Sequence, residues 1–346
     1  VNTSSDRAAI QAEVDQLVDE LQRIGDTTTF NQQKLLDGSF NDKFFHIGMN
    51  FQERIQVRVR DARSEAIGRA AAIESAPVDT NALGADSLTI NGVTIRSTQT
   101  SDDQLSHTLR SSSAIAKAAA INDFTEFTGV TATVAETVRE GTADIGGGSL
   151  DESNFVSING RIFTGFNVQA DDANEALINA INADLHLTGV VASRDDDGQI
   201  QLTAADGRNI DVEVTGNGGA ITGLAADVTT AGLTLSSDTQ FQLGGGGEGG
   251  VGFAADSIAG VTAARSVNTV DVTSRKGAND ALLILDRAIQ QVTSDRSELG
   301  AVQNRLQSTI SNLSSVSENA AAAKSRILDA DFAAESAYLA RNQILT

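Results

Sequence analysis

The segment that decides the fold is residues 278–326, which read ANDALLILDRAIQQVTSDRSELGAVQNRLQSTISNLSSVSENAAAAKSR. It contains no proline, and its only glycine is Gly300. Its apolar residues recur at steps of three and four, at Leu285, Ile289, Val292, Leu299, Val302, Leu306, Ile310, Leu313 and Val316. This spacing predicts one apolar stripe on a helix about 70 Å long, at about 1.5 Å per residue. Compact enzymes rarely need such a helix, whereas rods, coiled coils and filament subunits do.

The opening of the chain shows the same periodicity. We predict a helix from Thr3 to Ile24, with Thr3 and Asp6 as its capping box and Gly25 as its C-cap. A heptad-like seam follows from the spacing of Ile10, Val14, Leu17, Leu21 and Ile24. We therefore expect the apolar stripes of the two chain ends to bury against each other in one elongated helical body.

Composition excludes several classes of protein. The 346 residues leave room for two or three domains, and the formal charge of −21 argues against nucleic acid and anionic membranes as partners. The absence of cysteine excludes a disulfide framework, a zinc-thiolate site and a thiol nucleophile. No apolar run is long enough to span a bilayer, so we expect no membrane insertion.

No catalytic constellation is visible. His46, His107 and His186 are scattered, and the zinc-protease, nucleophile-elbow and phosphate-loop motifs are absent. The run from Asp195 to Gly198 could suggest calcium, but its acids are consecutive rather than alternating, so we favour an acidic hairpin tip. We predict no enzyme activity, no cofactor and no metal.

Short strands follow the first helix. We predict strands over Phe44–Met49 and Ile55–Val59, with Arg58 and Arg60 on the face opposite the apolar residues. That basic face is interpreted as solvated, and a partner-binding stripe is the alternative.

The middle of the chain contains an internal repeat. After Pro77, a strand, an Asn-Gly turn, a strand, a short helix and a strand occur twice, over about residues 86–138 and 154–214. The turns are Asn91-Gly92 and Asn159-Gly160. The glycine-rich residues 216–262 are expected to form a flexible loop at an outer tip.

Long motifs at both ends resemble bacterial flagellins. At the N-terminal end these are Ile10-Gln11-Ala12-Glu13-Val14, Thr29-Phe30-Asn31 and Lys34-Leu35-Leu36. At the C-terminal end they are LGAVQNRL at 299–306 and SRILDADFAAE at 325–335. The repeats in the middle are similar to the insertion motifs in the outer region of flagellins.

The resemblance implies a multidomain α + β fold. Residues 1–77 and 263–346 would form a discontinuous helical rod domain with short β-hairpins, and residues 78–262 an inserted outer region. It implies an extracellular structural subunit of the flagellar filament, exported by the flagellar route without a cleaved signal peptide. Its partners would be other flagellin subunits, with contacts expected at Arg58, Arg60, Arg63, Gln303, Asn304 and Arg305.

Two further expectations come from the resemblance. Glu13 matches the glutamate of the rod surface that Toll-like receptor 5 recognises, although an ordinary solvated helix residue is the alternative. Flagellins carry further segments at both ends that drive polymerisation, and these are absent here, so we expect a monomer.

Two other functions stay open. A flagellin relative could act as a cell-surface adhesin that binds polysaccharide, with a basic cluster at Arg54, Arg58, Arg60 and Arg63. A hook–filament junction protein shares the same terminal design.

Overall fold

The computed structural model describes residues 3–41, 43–47, 53–195, 197–262, 265–328 and 332–345, and it mixes helix with sheet. The α-helices are α1 Ser4–Thr27, α2 Ala114–Asn122, α3 Thr125–Thr128, α4 Ala176–Ala183, α5 Leu185–Thr188, α6 Gly218–Thr222, α7 Arg275–Leu328 and α8 Phe332–Leu345. Short 3₁₀ turns occupy Thr100–Asp102, Ala170–Asp172, Glu248–Val251 and Val267–Thr269.

The strands are short. They are β1 Thr29–Phe30, β2 Gln33–Lys34, β3 Lys43–His46, β4 Arg54–Val57, β5 Ala70–Glu74, β6 Thr89–Ile90, β7 Val93–Thr94, β8 Val130–Val134, β9 Thr137–Glu140, β10 Gly148–Leu150, β11 Phe155–Ile158, β12 Arg161–Phe163, β13 Phe166–Val168, β14 Val191–Arg194, β15 Ile200–Ala204, β16 Ile210–Thr215, β17 Asp227–Thr229, β18 Leu233–Ser237, β19 Phe241–Gly244, β20 Ile258–Ala259 and β21 Val261–Thr262. All of the pairings that the structure describes are antiparallel.

The chain packs as two units. The first unit comprises residues 1–15 and 68–285, and the second comprises residues 16–67 and 286–346. These bounds differ from the predicted rod and outer region, and that division stays a prediction.

The first unit contains two apolar cores. One lies under the sheets β21-β5-β18-β8 and β20-β19-β6-β7, and Leu88, Ile121 and Leu235 are completely buried in it. The other is associated with the sheets β12-β11-β16-β17 and β14-β15-β9, and Ile158 and Leu177 are completely buried there.

The two repeats have the same hydrogen-bond framework, one in each core. Asn91 donates to the Thr128 carbonyl at 2.9 Å, and Asn159 donates to the Thr188 carbonyl at 2.8 Å. The helix asparagines behave alike: Asn122 and Asn182 each exchange two hydrogen bonds with the backbone of an alanine in or next to the following strand, Ala132 and Ala192. The asparagines of these two Asn-Gly turns adopt the left-handed backbone that the turn requires, with φ of 53° at Asn91 and 48° at Asn159.

The prediction of a flexible loop over residues 216–262 is wrong for most of that segment. It contains strands β17 to β21, and every residue of β18 is buried. Its glycines allow close approach instead, since a side chain at Gly247 would overlap the backbone of Ser87. Lys117, with no exposed surface, anchors this segment by donating to the Gly250 carbonyl at 2.7 Å.

The helix ends show one confirmed and one wrong prediction. The Thr3–Asp6 capping box is present, with Asp6 N donating to Thr3 Oγ1 at 3.2 Å and Thr3 N donating to Asp6 Oδ2 at 2.9 Å. Gly25 is not a C-cap, because α1 continues to Thr27. A Cβ at Gly25 would lie 2.7 Å from Arg63 Cγ, so the glycine lets the loop before Ser64 pack on the helix.

In the second unit, α1 is followed by the hairpins β1–β2 and β3–β4. The predicted strand Phe44–Met49 is observed as β3, which ends at His46, and Met49 lies outside the described residues. On β4, Ile55 and Val57 are buried while Arg54 and Gln56 are exposed, which matches the predicted alternation.

Candidate functional site

The long helix carries an exposed apolar stripe. The predicted helix over residues 278–326 is confirmed, because α7 runs for 54 residues from Arg275 to Leu328. In the second unit, six apolar side chains of α7 are between 36 % and 64 % exposed: Ile289, Val292, Leu299, Ile310, Leu313 and Val316. We call these six residues the apolar stripe.

The expectation that the predicted stripe buries within the chain is therefore wrong for these six residues, whereas Val302 and Leu306 of the same stripe are half-buried. The buried residues of α7 are Ala281, Ile284 and Ala288, near the start of the helix. In the first unit, Ile284 packs against Gly68, whose missing side chain permits the contact. Periodicity identified the helix and its apolar residues but not which of those residues the chain itself covers.

Other apolar side chains of the second unit are also exposed. Leu17 of α1 is 70 % exposed and Phe30 of the β1–β2 hairpin 74 % exposed. On α8, the exposed apolar residues include Tyr338, Leu339, Ile344 and Leu345. Exposed apolar surface on this scale is typical of sites where proteins associate. The exposure of Phe30 was not predicted from the sequence, although its position among polar residues at a hairpin turn could have indicated it.

Arg60 pairs with acids on α7. Its guanidinium lies 3.1 Å from Asp295 Oδ1 and 3.9 Å from Glu298 Oε2. Burial raises the pKa of the Asp295 carboxyl. The positive charge of Arg60 opposes this shift, and the negative charge of Glu298 adds to it. The sequence analysis named Arg60 but missed both of these acidic partners, which are more than two hundred residues away in the chain.

Arg63 is held in a fixed position. Its guanidinium donates to both carboxylate oxygens of Asp61 and forms an ion pair with Glu65 at 3.1 Å. The hydrogen bonds that Arg63 donates to Asp61 raise the pKa of Arg63, and the charges of Asp61 and Glu65 raise it further. The next residue, Ser64, donates its N–H and its hydroxyl to Gln22 Oε1 at 3.1 and 2.7 Å, which ties the loop to α1.

The remaining predicted contact residues are on the surface. Gln303, Asn304 and Arg305 are exposed on α7, and Arg58 is exposed just after β4. Glu13 is exposed on the part of α1 that belongs to the first unit. Their roles in subunit or receptor contact stay predictions.

The candidate sites for other chemistry are limited. The acidic run from Asp195 lies at the β14–β15 turn, where Asp195 accepts hydrogen bonds from the N–H groups of Asp197 and Gln199; Asp196 lies outside the described residues. Within the described ranges, no three His, Cys, Asp or Glu residues are grouped so as to hold a metal ion. No helix among these residues has the length and apolar character needed to cross a bilayer.

Comparison with protein families gives three matches. Residues 1–41 match the bacterial flagellin N-terminal helical region, and residues 282–346 match the bacterial flagellin C-terminal helical region. Residues 158–206, within the second repeat, match the flagellin hook IN motif. Both terminal helical regions are thus represented, and the expectation that the chain lacks its polymerisation segments is not confirmed.

Individual relatives are also flagellins. The chain is 32 % identical to the B-type flagellin of Pseudomonas aeruginosa over 99 % of its own length and 74 % of that protein. It is 31 % identical to flagellin B of Helicobacter pylori strain 26695, covering 99 % of this chain and 75 % of that one. A solved structure of FliC from Burkholderia pseudomallei aligns with 88 % of this chain and 87 % of that one, but its TM-score of 0.32 at 14 % identity supports no structural conclusion.

The matches at both ends and the full-length similarity agree with each other. They also agree with a long C-terminal helix that carries an exposed apolar stripe. The chain belongs to the bacterial flagellin family, the structural subunits of the extracellular flagellar filament.

Proposed function

We propose that the apolar stripe is the surface that flagellin helices cover when the filament forms. The observation that carries this proposal is the exposure of six regularly spaced apolar residues on α7, with Ile289 at 64 % and Ile310 at 57 %. Covering a half-exposed Leu or Ile contributes about 1 kcal/mol. Six such residues together contribute several kcal/mol of favourable free energy. This gain offsets part of the entropic cost of association.

The polar residues around the stripe would fix the register between subunits. Gln303, Asn304 and Arg305 are exposed on the same helix, and Arg58, Arg60 and Arg63 lie at or after β4. In protein interfaces, polar residues at the rim contribute more to specificity than to affinity. Arg60 and Arg63 already pair with carboxylates, which makes them poor ligands for an acidic polysaccharide. The pairing counts against the adhesin alternative.

The proposal includes the larger organisation of the protein. Residues 1–77 and 263–346 form the helical rod domain of the filament wall, and residues 78–262 project outward as the outer region. Export follows the flagellar route, and the role is structural rather than enzymatic. The long α7 and the two family matches at the chain ends support this organisation.

Immunogold electron microscopy tests the proposed function. Antibodies against the first unit should decorate filaments along their whole length, and deleting the gene should remove the labelled filaments and reduce motility. Label restricted to the junction between hook and filament would favour the junction protein. Label on the cell body would favour the adhesin.

Glu13 carries a second, independent proposal. Its exposure on α1 leaves its carboxylate accessible to a receptor. We propose that it contributes to recognition by Toll-like receptor 5, as its place in the Ile-Gln-Ala-Glu motif suggests. A receptor reporter assay should show a weaker response to Glu13→Ala than to the unmodified chain, with Asp19→Ala as the control on the same helix. Equal responses from all three proteins would contradict this proposal.

A further inference from the structure

The sequence contains three Asn-Gly pairs: Asn91-Gly92, Asn159-Gly160 and Asn217-Gly218. In such a pair the backbone nitrogen of the glycine can attack the side-chain amide carbon of the asparagine, because glycine has no Cβ to hinder the approach. The three pairs share this chemistry but have different surroundings.

The first two asparagines are locked. Asn91 donates to the Thr128 carbonyl at 2.9 Å and accepts from the Gln242 N–H at 3.0 Å. Asn159 likewise donates to a carbonyl and accepts from the Asp211 N–H at 2.9 Å. In both side-chain amides the nitrogen and the oxygen are hydrogen-bonded, and both asparagines lie in a hairpin turn. For either to react, its hydrogen bonds must break and the turn must open.

The side-chain amide of Asn217 has no such hydrogen bond within the described part of the chain. Its side chain is exposed, and its amide does not cap α6, the five-residue helix that follows it. Gly218 is the first residue of α6, so its N–H has no partner within the helix. Two hydrogen bonds hold the Asn217 backbone: its N–H donates to Asn154 Oδ1 at 2.8 Å, and its carbonyl accepts from Ile221 N in the first turn of α6 at 3.1 Å. So short a helix opens at low free energy.

We propose that Asn217 is the site at which the folded chain deamidates. The Gly218 backbone nitrogen forms a bond to Cγ of Asn217, the bond from Cγ to Nδ2 breaks, and ammonia leaves with the proton of the Gly218 N–H. The product is a succinimide ring, which water opens to aspartate or isoaspartate. The first unit thereby gains one negative charge at the start of α6. The isoaspartate form also lengthens the main chain beside Gly218, where a side chain would already overlap the Phe155 carbonyl.

The test compares the three pairs within one molecule. The full chain is incubated at mildly alkaline pH, digested and mapped by mass spectrometry, with isoaspartate measured at each asparagine. In the folded chain Asn217 should react at least about tenfold faster than Asn91 and Asn159, the ratio that corresponds to about 1.4 kcal/mol of additional opening free energy. In concentrated urea the three rates should converge to within about threefold, because local structure no longer separates them.

The controls follow from the same chemistry. An Asn217→Gln variant should lose the fast product and leave the rates at Asn91 and Asn159 unchanged. Reaction of Asn91 or Asn159 as fast as Asn217 in the folded chain would overturn the proposal. So would an Asn217 that reacts in urea but not in the folded chain, because α6 would then protect it.

Discussion

Replacing Asn159 by alanine should weaken the second repeat strongly. The substitution removes the acceptor of the Asp211 N–H and one of two donors to the Thr188 carbonyl, which keeps a hydrogen bond from Arg208 at 3.3 Å; Thr188 and Asp211 are 0 % and 7 % exposed. Each buried backbone group left unpaired costs about 1–3 kcal/mol. The alanine must also hold a φ of 48°, which costs about 1 kcal/mol more. The unpaired Asp211 N–H, about 1 kcal/mol for the lost bond to Thr188 and the backbone cost together give an expected loss of stability of about 3–5 kcal/mol.

Two further variants separate these contributions. Asn159→Gly keeps the left-handed backbone and should be about 1 kcal/mol less destabilising than Asn159→Ala. Asn159→Asp keeps the acceptor for Asp211 and loses only the donor, so it should fall between the alanine variant and the unmodified chain.

Hydrogen exchange measured by mass spectrometry is the appropriate assay. Peptides covering β11 and β16 report on the strands next to this turn, since Ile158 pairs with Val212. A chain with two packing units need not unfold in one step, so a local measurement is preferable to a global melt. A loss below about 1 kcal/mol for Asn159→Ala would refute the reasoning, because it would mean that the two bonds contribute nothing net. Equal losses for the alanine and glycine variants would refute the backbone contribution.

Two further predictions concern stability. Gly300→Ala should raise the free energy of unfolding of α7 by up to about 1 kcal/mol, because no atom lies within 4 Å of the added Cβ. Gly25→Ala should lower stability, because its Cβ would lie 2.7 Å from Arg63 Cγ. Circular dichroism melts of the two variants check this, and a stabilising Gly25→Ala would contradict the packing described. The hydrogen bonds from Arg96 hold the pKa of Asp102 below its ordinary value of 3.8, so their contribution is present above pH 3.8 and is lost as the pH falls through the lowered pKa. When the unfolding free energy is measured as a function of pH, Asp102→Asn should lose less stability in acid than the unmodified chain. Equal losses in the two proteins would contradict this prediction.

Much of the secondary structure could be predicted from local patterns. The periodicity of residues 278–326 was sufficient for α7, and the Thr3–Asp6 pair was sufficient for the start of α1. The hairpin turns at Asn91 and Asn159 follow from the left-handed backbone that Asn-Gly favours. These features depend on residues close together in the chain.

The features that the sequence did not reveal depend on distant residues. Gly25 looked like a helix C-cap because its contact with Arg63 is invisible locally. Lys117 would ordinarily be placed at the surface, yet its ammonium group is buried and donates to Asp79 Oδ1 at 2.7 Å and to the Gly250 carbonyl. The glycine-rich segment looked flexible because its contacts with Ser87 and Lys117 come from distant parts of the chain.

The candidate surface was predicted only in part. The residues of the stripe were identified, but their burial within the chain was expected and is not observed. A helical period shows that one face needs covering, and it does not show which chain provides the cover.

In the proposed assembly the apolar stripe is exposed in the separate chain and covered in the filament. The chain contains no cysteine, so a single Leu313→Cys substitution introduces one thiol probe, and Glu126→Cys on α3 gives a matched probe at an exposed position in the first unit. Maleimide labelling is then measured on intact filaments from cells that carry each variant, and on the corresponding separated chains. The account predicts that labelling of Leu313→Cys slows by about tenfold or more in filaments while labelling of Glu126→Cys is unchanged. Equal labelling of Leu313→Cys in filaments and in separated chains would contradict it.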